Sequence, residues 1–130
     1  MSDFSEKRQQ QGREMLDRVN PGAGDAMIEA FREIAPDFEQ LLLGFVFADV
    51  FSRDVISLRE RQLIRLGALV GLGVGPVPLR ANIGSALTIG ISREDVAEAF
   101  IQCLPYAGFP RVIDALGVLK QHFADEDAHA

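Results

Sequence analysis

The run SLRERQLIRLGALVGLGVGPVPL, residues 57–79, decides the fold class. Ser57, with Glu60 three positions on, spells a capping box: the serine oxygen accepts from a first-turn N–H and the glutamate reaches back to the cap. Behind it Leu58, Leu63, Ile64, Leu66, Leu69 and Val70 recur at helical spacing, not at the alternation of a strand. Gly73, Gly75, Pro76 and Pro78 then end the helix, because glycine frees the backbone and an interior proline removes an amide donor. The stretch from Leu66 to Leu79 is the longest apolar run, but its 14 positions fall short of the roughly 20 that a membrane helix needs.

The same grammar extends outward on both sides. Residues 3 to 19 are mostly helix formers with Met15, Leu16 and Val19 as a sparse apolar edge, and Asn20-Pro21-Gly22 breaks them off. Ala26 to Ile34 sets Met27, Ile28, Phe31 and Ile34 at helical spacing, and Pro36 closes or restarts that helix. Asp37 to Phe51 predicts a third helix carrying Leu41, Leu42, Phe45, Phe47 and Phe51. Downstream, a helix from about Leu79 to Ile89 stops at Gly90, a natural left-handed cap. Ser92 with Asp95 opens another, through Val96, Ala97, Phe100, Cys103 and Leu104. Gly108-Phe109-Pro110 is the last break, and Pro110 suits the first turn of a helix reaching about Phe123. The tail, Asp125 to Ala130, is expected to be loose. With helical signals throughout and no strand signal, the chain reads as all-α, one domain over residues 1–130 built from about six to seven helices.

Composition bounds the function. A length of 130 residues allows one domain with one core, and a net charge of −6 repels phosphate backbones, which argues against nucleic-acid partners. The single cysteine, Cys103, rules out an intrachain disulfide and a CxxC dithiol, and no cluster has zinc-ligand spacing, so no metal is expected. Met1 to Arg13 is polar, unlike a signal peptide, so the expected location is the cytoplasm, with no membrane partner. Residues 63–72 are nearly uncharged and Phe45-Val46-Phe47 is apolar all round. A helix greasy on every side must be covered on every side, and one small bundle has too little interior to do it. A homo-oligomer follows as the expectation.

Five pieces carry a family resemblance: Asp49-Val50-Phe51-Ser52-Arg53, Leu58-Arg59-Glu60-Arg61-Gln62-Leu63, Leu79 to Leu87, Gly90 to Val96, and Tyr106-Ala107-Gly108-Phe109-Pro110. Their order and spacing, over about Ala48 to Phe123, resemble the carboxymuconolactone decarboxylases. The resemblance implies an alkylhydroperoxidase D-like helical bundle, assembled as a trimer or hexamer with sites near subunit contacts. It also implies a cofactor-free loss of carbon dioxide from a carboxylated unsaturated lactone. Such chemistry must anchor an anion, stabilise a growing enolate oxygen and return a proton to carbon. Peroxidases of the wider superfamily work through a CxxC pair, and this chain has none.

The candidate residues follow from that chemistry. Arg61 and Arg65 stand four apart on one helix, so their guanidinium groups can point the same way, and Arg80 on the next helix can complete an anion clamp. The competing reading spends them on acids such as Glu60, Asp49 or Asp54. The resemblance matches Arg61 to the family's arginine and marks two departures: Asn82 where relatives usually carry histidine, and Gln62 where many carry glutamate. An amide neither gives nor takes a proton near neutral pH, though it can hydrogen-bond a lactone or ketone oxygen. Cys103 continues the stripe of Val96 and Phe100 and reads as a packed thiol, with a pocket-lining role as the alternative. Tyr106, the only tyrosine, is read as a core ring in preference to a phenol of the site. His122 and His129 read as surface histidines without a metal partner. Gly67 and Gly71 read as a small-residue seam for close helix packing, and Gly71, Gly73 and Gly75 follow no strand, which excludes a nucleotide loop.

The expected function is a cofactor-free enzyme acting on a small anionic lactone or dicarbonyl compound. Asn82, Gln62 and Cys103 are its catalytic candidates, with Arg61, Arg65, Arg80 and Tyr106 contacting substrate. The alternatives are a binding or assembly protein on the same fold and, disfavoured by the missing dithiol, a thiol peroxidase.

Overall fold

The computed structural model describes residues 5–130, and every regular element among them is helical. In chain order these are α1 (Glu6–Val19), α2 (Pro21–Phe31), α3 (Phe38–Gln40) running into a π-helix (Leu41–Phe51), α4 (Leu58–Leu72), α5 (Pro76–Thr88), α6 (Arg93–Gln102), α7 (Leu104–Ala107) and α8 (Phe109–Ala128). Seven of these have ten or more residues, which meets the expectation of an all-α chain of six to seven helices; α3 and α7 are single turns. No helix among the described residues is long and apolar enough to cross a membrane. The chain divides into two compact units, one ending at Leu58 and one running from Arg59 to Ala130.

In the first unit, Ser5 caps α1 by accepting from the Arg8 amide at 3.4 Å. The expected start of this helix at residue 3 lies outside the described residues. Asn20 does more than break the chain. Its N–H closes α1 on the Leu16 carbonyl at 2.8 Å, while its side-chain oxygen accepts from the Ala23 amide at 3.2 Å and so opens α2. Pro21 fills the first position of α2, where a missing N–H costs nothing, so that helix begins five residues before the expected Ala26. α1 packs on the π-helix at Gly12, where a Cβ would run into the Leu43 carbonyl. Arg8 grips Asp49 with both nitrogens, Nε to Oδ1 at 2.8 Å, and the Gln9 amide donates to the Gln40 carbonyl at 3.0 Å. The widened winding of Leu41–Phe51 is a departure from the α-helix expected there. At its end the Ser52 hydroxyl donates to the Phe47 carbonyl at 2.7 Å, covering a carbonyl five residues back.

In the second unit the glycine stops and the Ser92 cap fall as read. α4 starts just after Ser57 and stops at Gly73 (φ 70°), α5 ends at Gly90 (φ 94°), and Gly108 (φ 89°) precedes α8, each glycine taking a left-handed backbone. The Ser92 hydroxyl accepts from the Asp95 amide at 3.0 Å, giving α6 its cap. α5 begins three residues before the expected Leu79, because Pro76 opens the helix behind Gly75 instead of ending the previous one. The core joins Leu66 and Val70 of α4, Leu79, Ile83 and Ala86 of α5, Val96 and Phe100 of α6, and Val112, Ala115 and Leu119 of α8.

One expectation fails here. The C-terminal segment is no loose tail: α8 continues through Ala128. Arg80 bonds Asp125 at 2.6 Å, and Arg93 bonds Glu126 and Asp127 while its guanidinium lies 4.5 Å from the Phe123 ring centroid. The acids that looked like a solvated end are the anchors of the last turn.

Candidate functional site

The buried polar residues of the described chain are Gln62, Asn82 and Ser85, all on α4 and α5. Gln62 is wholly buried, and its Nε2 donates to the Asn82 backbone carbonyl at 2.9 Å. The Asn82 Nδ2 in turn donates to the Pro78 carbonyl at 2.8 Å, and the Ser85 hydroxyl donates to the Ala81 carbonyl at 3.1 Å. Because each NH2 group faces a carbonyl, each amide oxygen points away from its backbone partner. Gln62 Oε1 and Asn82 Oδ1 have no hydrogen-bond partner among the described residues. Buried polar atoms are nearly always satisfied, so two orphan acceptors on neighbouring residues mark a place prepared for a donor. Each amide also keeps one N–H beyond the one it spends.

Geometry sorts the other candidates into separate places. On a helix of about 100° per residue, Arg61 and Arg65 lie roughly 100° and 60° to one side of Gln62, and Gly67 roughly 140° to the other. Both arginines are half-buried, and burial holds the Arg65 guanidinium below its ordinary pKa, a measure of how much water it has lost. A cation that has shed water binds an anion more strongly than one in bulk solvent. Arg80 is differently placed: two residues from Asn82, it leaves α5 about 200° around the helix and is tied to Asp125. The structure thus brings Gln62 and Asn82 together, sets Arg61 and Arg65 on the adjoining side of α4, and commits Arg80 to the α5–α8 contact.

Cys103 and Tyr106 lie on the Gly67 side. The Cys103 thiol is half-buried, with its sulfur 3.4 Å from the Ala99 carbonyl, and burial pushes its pKa up, so it stays protonated and a poor nucleophile at neutral pH. Tyr106 contradicts the core reading. Its ring is 95% exposed, because α7 is a single turn that carries it out to the surface. Both residues line a hollow of about 620 Å³ with Gly67, Gly71, Gln102 and Arg111; Gln62 and Asn82 are not among its walls. The glycine pair also departs from its reading as a packing seam. A Cβ at Gly71 would meet nothing within 4 Å, and one at Gly67 only the Cys103 sulfur at 3.8 Å.

The sequence places His122 at the surface, and the structure half-buries it. Its side chain is only 17% exposed, and its Nδ1 is buried with no partner among the described residues. The Cε1 atom faces Gly84 of α5, where a Cβ would stand 4.0 Å away. Burial is the first cause holding this imidazole below its ordinary pKa; Arg80 and Arg93 add to it, while Glu126 and Asp125 oppose it. The signal was present in the sequence, since Val112, Ala115, Leu119 and His122 form one stripe at spacings of three, four and three. His129 is exposed, as expected. No group of three or more His, Cys, Asp or Glu residues among the described residues is placed to hold a metal ion.

The model of the Carboxymuconolactone decarboxylase family matches residues 36–121. The chain is 28% identical over 119 residues, covering 91% of itself and 89% of the relative, to an uncharacterized 15.0 kDa protein in the nqo9-nqo10 intergenic region of Paracoccus denitrificans. It is 25% identical over 121 residues, covering 92% of itself and 90% of the relative, to a 4-carboxymuconolactone decarboxylase of Acinetobacter baylyi.

Proposed function

Because the chain belongs to the carboxymuconolactone decarboxylase family, we propose that it is a cofactor-free lyase for a small anionic lactone or dicarbonyl compound, working at the Gln62–Asn82 amide pair. The observation that carries this reading is the pair itself: two buried amides with orphan oxygens, at the positions where the family's ionisable groups are expected. Arg61 and Arg65 hold the substrate carboxylate from the adjoining side of α4. The carbon–carboxylate bond breaks, carbon dioxide leaves, and the electron pair moves through the double bond to the carbonyl oxygen. The spare amide N–H groups of Asn82 and Gln62 face that oxyanion. One orphan oxygen accepts from a water molecule, whose other O–H gives its proton to carbon; the hydroxide left behind combines with carbon dioxide as bicarbonate. Cys103, protonated and outside the amide pair, takes no covalent part.

The working unit in this reading is a homo-oligomer, a trimer or hexamer. What supports it is the apolar surface a single chain leaves open: Phe45, Phe109 and Ile113 are all more than half exposed.

A second reading, a binding or assembly protein on the same fold, is favoured by one observation. Each amide spends an N–H on a backbone carbonyl, so Gln62 also serves as a clip between α4 and α5. Incubation with 4-carboxymuconolactone, following the ultraviolet absorbance of the conjugated lactone, separates the two. Turnover that falls at least about tenfold in Arg61→Ala and survives Cys103→Ser supports the lyase. Saturable binding without turnover in the wild type supports the second reading. Asn82→His is the sharper variant, because decarboxylation gained there means that the pocket is intact and wants only a proton donor.

A further inference from the structure

The hollow beside Cys103 does not belong to the amide pair, and its walls are chemically specific. A volume of about 620 Å³ is in the range of small-molecule sites. Arg111, at the start of α8, crosses to α4 and donates to the Gly71 carbonyl, which fixes the guanidinium at the wall. Gly73, in its left-handed conformation, lets the arginine lie along the turn: a Cβ there would stand 3.4 Å from Arg111 Nε. That single bond spends one of five N–H donors, and no carboxylate among the described residues pairs with Arg111. Tyr106 stands at the rim with its ring in solvent, Gln102 adds an amide, and Cys103 adds a soft apolar floor.

Space at this wall comes at a cost in helix stability. Glycine inside a helix is less favourable than alanine, yet α4 carries two glycines one turn apart on this side. Neither is needed for close packing within the chain, since a Cβ on either would enter open or nearly open space.

We propose that this hollow is a second binding site, for a small carboxylate with an apolar body, in which Arg111 takes the carboxylate, Tyr106 covers the body and the Gly67–Gly71 wall makes the room. A guanidinium fork matches a carboxylate with two parallel hydrogen bonds, and an aromatic ring beside it covers apolar surface at little entropic expense. The proposal does not rest on the reading of Gln62 and Asn82.

The test uses a property of this chain: it has one tyrosine and no tryptophan, so tyrosine emission reports on Tyr106 alone. Cyclohexanecarboxylate, which does not absorb where tyrosine does, is titrated into the full-length protein, with cyclohexanecarboxamide as the neutral control. The expected result is a saturable emission change with the carboxylate, at least about tenfold weaker with the amide and in Arg111→Gln. Gly71→Leu, which fills the hollow, abolishes it. Gly71→Ala, which adds one methyl to open space and keeps the fold, weakens it should the bulkier variant not fold. Asn82→Ala leaves it unchanged, which separates this site from the amide pair. The proposal is overturned by a titration without saturation, by equal response to acid and amide, or by unchanged affinity in folded Arg111→Gln. It is equally overturned when Gly71→Leu lowers the mass of the particle in solution, because the hollow is then the seat of a second copy.

Discussion

A wholly buried glutamine is retained for a reason, and Gln62 separates the possible reasons. Were its bond to the Asn82 carbonyl needed for stability, its removal would cost the ~1–3 kcal/mol of an orphaned buried group. But that carbonyl lies inside α5, where a helical N–H also serves it, and the Gln62 oxygen is itself unpartnered. Gln62→Leu is therefore expected to change stability by less than about 1 kcal/mol in urea unfolding, or to raise it, while abolishing the chemistry proposed at the amide pair. His122 yields a pH prediction. Its folded pKa lies below its ordinary 6.5, so below that pH the unfolded chain binds the proton first. Stability should be full above pH 6.5 and decline as pH falls through 6.5 toward the lower folded value. In His122→Phe the part of that decline due to this group should vanish, a difference read by urea midpoints at a series of pH values. His122 was misread because two nearby acids, Asp125 and Glu126, resemble a solvated face; the apolar stripe it continues was the better guide.

At the scale of elements, the contact of α1 with the π-helix depends on the absence of one carbon. Gly12→Ala would press a methyl into the Leu43 backbone, which cannot swing aside as a side chain can. The expected cost is about 1–3 kcal/mol in chemical unfolding. Gly71→Ala should do the reverse and stabilise by up to about 1 kcal/mol, since nothing stands where its methyl would go. Two glycines in helices thus call for opposite outcomes, and the sequence does not distinguish them. The last turns of α8 provide another case. Asp125→Ala removes the bond to Arg80, and hydrogen exchange should quicken at the amides of residues 125–128 while the α8 core around Leu119 keeps its protection.

For the whole molecule, the open question is the fate of its exposed apolar side chains. Phe109 and Ile113 lie one turn apart at the start of α8, both more than half exposed. Single exposed apolar groups are ordinary, but a run of them is a surface awaiting cover. With the oligomer of the proposed function, sedimentation should report a small multiple of the chain mass, and Phe109→Asp should shift it toward the monomer without loss of helix. A wild-type monomer at micromolar concentration would leave the apolar surplus unexplained.

The sequence alone determined which stretches of the second unit are helical, the Ser92 cap and the stops at Gly73, Gly90 and Gly108, because serine and glycine act on the backbone within one turn. It also determined the family. Tertiary structure decided the rest: that Arg80 is tied to Asp125, that Tyr106 stands in solvent, that His122 is half-buried, and that the glycines of α4 face a hollow. The division has one physical cause. Local backbone chemistry is read from neighbours in the chain, whereas a side chain's partner and its share of water depend on which face of another helix arrives beside it.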